Sequence, residues 1–267
     1  AIAKSTKAVQ VYPDNPVGHR SLAATVWLQL LFSRGSLLVD NYLTGSISRP
    51  TGDLKPPPKE LDQLFEKHIE RAIALSERAI KLSPNDVNAH YELGIAVGLA
   101  ASYRASIRGQ TFRALRYAKR AYSAHPRALE LNPNRDDAKL LVGIYRYVVS
   151  IMPRLFRMMA CLVGFDGGKD EAIALVRDAA TYPGETQAEA QFALVLLLNR
   201  ERQYGRAQHF LEQLRRAYPR NRLVWLETAS TWLRDDRPAM ANLSLAHGFS
   251  QLQGDNRTRM YGEDATW

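Results

Sequence analysis

The stretch ERAIKLSPNDVNAHYELG, residues 77–94, decides how the chain is read. A run with apolar residues at helical spacing ends at Leu82, and Pro84 cannot continue it. Asn85 or Asp86 then offers a side-chain oxygen to the first amides of a second helix. Ala89 and Gly94 are small, so neighbouring helices can approach closely there. The phrase returns 49 residues later (82 to 131) as RALELNPNRDDAKLLVG, residues 127–143, with Leu, Pro, Asn, Ala and Gly in register. Two further stretches share its grammar. KAVQVYPDNPVGHRSLA (7–23) puts Pro13, His19 and Leu22 where Pro84, His90 and Leu93 stand. EQLRRAYPRNRLVWLETA (212–229) puts Pro219 and Trp225 at the positions of Pro84 and His90. A chain that repeats one helix–turn–helix junction is built by stacking a small unit.

Between the last two junctions, DEAIALVRDAATYP (170–183) and YGRAQHFLEQLRRAYP (204–219) align through Ala172 and Ala207. AEAQFALVLLLNRE (188–201) supplies the amphipathic helix between them. These residues resemble the tetratricopeptide-repeat family, whose unit is about 34 residues long. Ala72, Ala79 and Pro84 match its small, small, proline spacing, and Leu93–Gly94 and Val142–Gly143 match its Leu-Gly pair. Ala207, Leu214 and Pro219 continue the pattern, and Trp225 takes the place of its first aromatic. The resemblance covers residues 1–235 and implies an all-α solenoid of antiparallel hairpins wound as a right-handed superhelix. Departures are a lengthened unit near residues 104–128, a proline-rich loop at 41–59, and an inserted helix at 153–164. Residues 1–12 read as a second helix without its partner, and 236–267 as a C-terminal capping helix and tail.

Composition agrees with a helical globular chain. Of 267 residues, 46% are hydrophobic and 24% charged, ordinary globular values that argue against disorder. The longest apolar stretch, AATVWLQLLF (23–32), is too short to cross a bilayer, which takes about 20 residues. Cys161 is the single cysteine, so neither an internal disulfide nor a cysteine-built metal site is available. Its apolar surroundings, MMACLVGF, predict a buried and inert thiol. The start AIAKSTKAVQ has no initiator Met and no signal-peptide core, so it reads as a processed terminus or as the interior of a longer chain. The compartment stays open between a bacterial periplasmic or secreted location, to which the missing start leans, and the cytoplasm.

Catalytic signatures do not emerge. The six histidines are scattered without HExxH, and His19 and His90 at equivalent positions read as packing at a helix interface. GFDGGKD (164–170) has the wrong spacing for a phosphate-binding loop and reads as a glycine stop and an Asp-capped restart. Asp136–Asp137 and Asp235–Asp236 fall at helix edges, where they complement the helix dipole. The chain is therefore expected to be no enzyme, with no cofactor and no metal.

Two surfaces are expected to bind instead. Residues 93–129 contain no acid, while Arg104, Arg108, Arg113, Arg116, Lys119, Arg120 and Arg127 accumulate, with Tyr103, Phe112, Tyr117 and Tyr122 between them. With a net charge of +9, this segment predicts docking to an acidic partner, or peripherally to anionic headgroups; nucleic acid is disfavoured for want of a recognised motif. The family resemblance implies a concave groove at Asn88, Tyr91, Ile95, Asp137, Leu140, Ile144 and Tyr147, with the tyrosines as anchors for a protein or peptide. It lacks the basic clamp that chaperone-binding members close on a terminal carboxylate. The expected role is a protein-interaction scaffold, as a subunit of a larger assembly. The alternatives are a basic membrane or nucleic-acid adaptor, or an enzyme whose site is assembled from separate helices.

Overall fold

The computed structural model describes residues 2–34, 56–151 and 168–251, and among these the secondary structure is helical, without strands. In order the helices are α1 (Ile2–Val11), α2 (Pro16–Ser33), α3 (Lys59–Leu82), α4 (Val87–Ser106) and α5 (Thr111–Leu131). A 3-10 turn, Asp136–Ala138, leads into α6 (Lys139–Ser150). Then follow α7 (Lys169–Thr181), α8 (Gln187–Arg200), α9 (Tyr204–Ala217), α10 (Arg222–Arg234) and α11 (Pro238–Gln251). The chain forms two compact units that divide at Gly184–Glu185. The expected inserted helix at 153–164, Cys161 and the tail after residue 251 lie outside the described residues, as does most of the 41–59 loop.

Two kinds of connection recur among the described residues, and each has a local cause. At the proline corners the residue before the proline turns extended: Ser83 has φ −138° and ψ 86°, Asn132 −145° and 93°, Tyr218 −132° and 60°. Its carbonyl accepts from the amide three residues on, 3.0 Å for Asp86, 3.1 Å for Arg135, 2.9 Å for Asn221 and 3.1 Å for Asn15 at the Pro13 corner. Asx side chains then cap three of the four following helices. Asn15 accepts from Val17, Asp86 from Asn88 and Ala89, and Asn221 from Leu223. Arg135 cannot cap, and there the chain enters α6 through the 3-10 turn.

Three further connections end a helix on a left-handed residue: Gly109 (φ 64°), Arg202 (φ 58°) and Asp236 (φ 57°). The next amide reaches back to the helix it leaves, Gln110 to Arg104 at 2.8 Å, Gln203 to Leu198 at 2.8 Å, and Arg237 to Trp232 at 2.9 Å.

Helices pack in chain order, α1 through α7 in the first unit and α8 through α11 in the second. In the first unit α2 also touches α4. Its core joins Ala23, Val26 and Leu30 to Phe65, Ile69, Ala72, Val97 and Tyr103. The Phe65 and Tyr103 rings stack at 3.6 Å between centroids. The second core comprises Leu194, Leu198, Ala207, Leu211, Leu214 and Val224, all fully buried. Glycines set the closest approaches. A methyl group at Gly94 would lie 2.2 Å from the His125 ring, one at Gly143 2.8 Å from the Ala172 carbonyl, and one at Gly248 2.9 Å from Trp225.

Candidate functional site

The seven groove residues come from α4, the 3-10 turn and α6, and they do not share one environment. Tyr91 is only 5% exposed: the Arg135 guanidinium lies 4.0 Å above its ring, and His125 meets it edge-on at 6.0 Å. Tyr147 is 2% exposed. Neither tyrosine can therefore serve as the solvent-facing anchor expected of it, because both rings already fill the core. Asn88 is exposed and accepts from Arg135. Asp137 pairs with the same arginine at 3.3 Å, so Arg135 gathers Asn88, Tyr91 and Asp137 into one polar cluster. Ile95, Leu140 and Ile144 are half-buried and are the apolar groups that remain accessible.

Part of the basic segment is neutralised by α3. Arg104 donates to Glu66 at 3.0 Å and lies 4.2 Å over Tyr117. Arg108 forks onto both Asp62 oxygens at 2.9 and 2.7 Å and reaches Glu66 at 3.2 Å. Tyr103 donates to Asp62 at 2.7 Å. Burial pushes the Asp62 carboxyl up, but the bonds from Arg108 and Tyr103, with the charges of Arg108 and Arg104, outweigh it and leave the group below its usual value. The Tyr103 phenol is pushed well up, by burial first and then by its bond to Asp62. Arg120 pairs with Glu77, while Arg127 pairs with Glu130 at 2.9 Å. Arg113, Arg116 and Lys119 are exposed and without a partner among the described residues. Of the interleaved aromatics, Tyr103 is buried and Tyr122 meets Tyr145 edge-on at 6.4 Å, so they present no stacking ladder; the Phe112 side chain lies outside the described set.

Sequence reasoning missed a groove of about 330 Å³ in the second unit, lined in part by Glu212, Arg215, Trp232, Met240, Leu243 and His247. Met240 is 41% and Leu243 54% exposed. Arg215 pairs with Glu212 and lies 4.8 Å over the Trp225 ring; burial, then the charge of Arg216, lowers its pKa. The signal for this face was present in the three-residue spacing of Met240 and Leu243 on α11, which no following helix covers among the described residues.

The histidines divide by role. His19 and His90, six residues after Pro13 and Pro84, each hold Nε2 at 2.9 Å from the prolyl carbonyl, and Trp225 Nε1 donates to Pro219 at 2.8 Å. The fourth corner has Lys139 at this place, bonded to Asp136 and Asp178 instead. His125 is fully buried, and burial pushes its pKa down to about 4. Among the described residues no three His, Cys, Asp or Glu side chains group as metal ligands. Nor is any described helix long and apolar enough to cross a membrane. No protein-family model matches the chain, and no curated protein sequence matches it.

Proposed function

We propose that the chain is a non-catalytic interaction scaffold built from tetratricopeptide-type hairpins stacked as a right-handed superhelix, working as a subunit of a larger assembly. The observation that carries this reading is the repeated corner at Pro13, Pro84, Pro133 and Pro219. Each has the same three-residue hydrogen bond and is followed by a helix packed on its predecessor, and the last three share the same extended exit. A unit repeated in this way cannot bury its apolar face alone, and the stack it forms presents a long surface of helix faces.

Recognition would rest on the accessible part of the groove: Ile95, Leu140 and Ile144 as apolar contacts, with Asn88 and Asp137 giving polar register. Arg113, Arg116 and Lys119 would steer an acidic protein or peptide toward it, acting on association rate more than on final affinity. The buried or paired state of Tyr103, Tyr117 and Tyr122 argues for a protein partner rather than stacked bases.

Affinity capture with Ile95→Glu/Ile144→Glu and, separately, Arg113→Glu/Arg116→Glu tests the proposal. The first pair should abolish capture of a specific partner; the second should weaken it at low salt and little at high salt. Circular dichroism and thermal melting establish that both variants fold. If both fold and retain the wild-type set of bound proteins, the scaffold reading fails.

A further inference from the structure

His19 on α2 and His68 on α3 face one another in the first unit with their Nδ1 atoms 2.9 Å apart. Ring centroids are 5.0 Å apart at an interplanar angle of 28°, the arrangement of an in-plane N–H···N bond rather than of face-to-face stacking. Both side chains are buried, at 6% and 7% exposure. The second nitrogen of His19 settles where the protons sit. Its Nε2 lies 2.9 Å from the Pro13 carbonyl, and a carbonyl can only accept, so Nε2 carries the hydrogen. Neutral His19 then presents a bare Nδ1, and His68 must donate from its own Nδ1. A proton added to His19 would set two N–H groups against each other at 2.9 Å. The closed pair can hold one extra proton at most, on His68, whereas the separated rings can hold two, so acid favours opening.

We propose that this histidine pair is a proton-operated clasp, fixing the α1–α2 hairpin to α3 near neutral pH and loosening it in mild acid. The bond ties α3 to α2 and, through Pro13, to the corner between α1 and α2. Surrounding charge does little to stabilise an added proton. Lys67 on α3 opposes it; Lys4 and Lys7 on α1 and Glu70 on α3 are exposed. The carboxylates on the packed elements are engaged elsewhere: Glu66 with Arg104 and Arg108, Glu92 of α4 with Arg20, Asp14 with Arg71. Burial first, then His19 and Lys67, hold the His68 pKa below its ordinary value. The closed state therefore keeps its full advantage above a pH of about 6.5 and loses it progressively as pH falls below that. Ala23, Val26 and Leu30 still bury against Phe65, Ile69 and Ala72, so acid loosens the hairpin without stripping it off.

Hydrogen exchange of the full chain between pH 7.5 and 5, corrected for intrinsic rates, tests the clasp. Opening of residues 2–33 should rise by up to about tenfold per pH unit for each proton taken up, with residues 187–234 as internal reference. His68→Gln presents an amide that can turn its NH2 to a neutral His19 Nδ1 or its oxygen to a protonated one and takes no proton itself, so it removes the conflict and should flatten that dependence. An unchanged acid dependence in the variant overturns the proposal. If the variant does not fold, ¹⁵N spectra of the wild-type imidazoles decide. Expected are the Nε2–H form of His19, the Nδ1–H form of His68, and uptake of one proton by the pair. Two rings titrating independently near their ordinary value would overturn it.

Discussion

The corners at Pro84 and Pro219 close with the same backbone bonds, yet the ring that reaches back to the proline is histidine in the first unit and tryptophan in the second. The shared requirement is a ring N–H six residues on, aimed at a carbonyl that the turn leaves open. Charge is not part of it. Histidine, however, brings a second nitrogen, and at His19 that nitrogen is bonded into the interior. The first unit buries His19, His68 and His125, whereas His209 and His247 of the second are exposed. One geometric role filled by two residue types thus leaves one unit open to protons and the other indifferent to them at the same place.

The sharpest way to separate the units is Gly94→Ala. The new methyl would meet the buried His125 ring, which is enclosed and cannot step aside, so the first unit should lose about 3 kcal/mol, the upper end for overpacking. Unit-resolved hydrogen exchange checks this; equal loss in both units would make them one cooperative body and remove the comparison. Acid comes next. Between a pH of about 6.5 and 4, His68 and His125, both held below their ordinary values, should weaken the first unit by up to about 1.4 kcal/mol per pH unit for each proton gained. Urea melts followed by exchange at several pH values should show its midpoint falling faster than that of the second unit. A smaller effect is expected of Trp225→Phe, which deletes the bond to Pro219 and should cost the second unit about 1 kcal/mol at little cost to the first. The smallest is favourable: Arg202→Gly relieves a left-handed residue and should stabilise the second unit by about 0.5 kcal/mol, read as a rise in its denaturation midpoint.

What was legible in the sequence was local. Prolines and asparagine or aspartate caps act within six residues, and Pro13, Pro84, Pro133 and Pro219 lie in inter-helix turns as their surroundings predict. What was hidden depended on distant neighbours. Tyr91 and Tyr147 fall at positions that the family resemblance assigns to the open groove. Yet α4 is buried continuously from Ala96 to Ala101 because helices cover it on several sides, leaving little solvent face. The acid-free run from 93 to 129 reads as a basic surface because its counter-charges, Asp62, Glu66 and Glu77, sit on α3, earlier in the chain. Arg113, Arg116 and Lys119 cannot be told from their paired neighbours without that helix in place.

The reach of the ring at each locked corner bears on where foreign sequence can be spliced in. A single residue added between Pro84 and His90, or between Pro219 and Trp225, would carry the ring past a carbonyl it must meet at 2.8–2.9 Å. The turns at Arg202 and Asp236 are tied by main-chain bonds back to the helix just ended. Epitope tags and reporter domains therefore belong at those turns, while the proline corners should be left uncut.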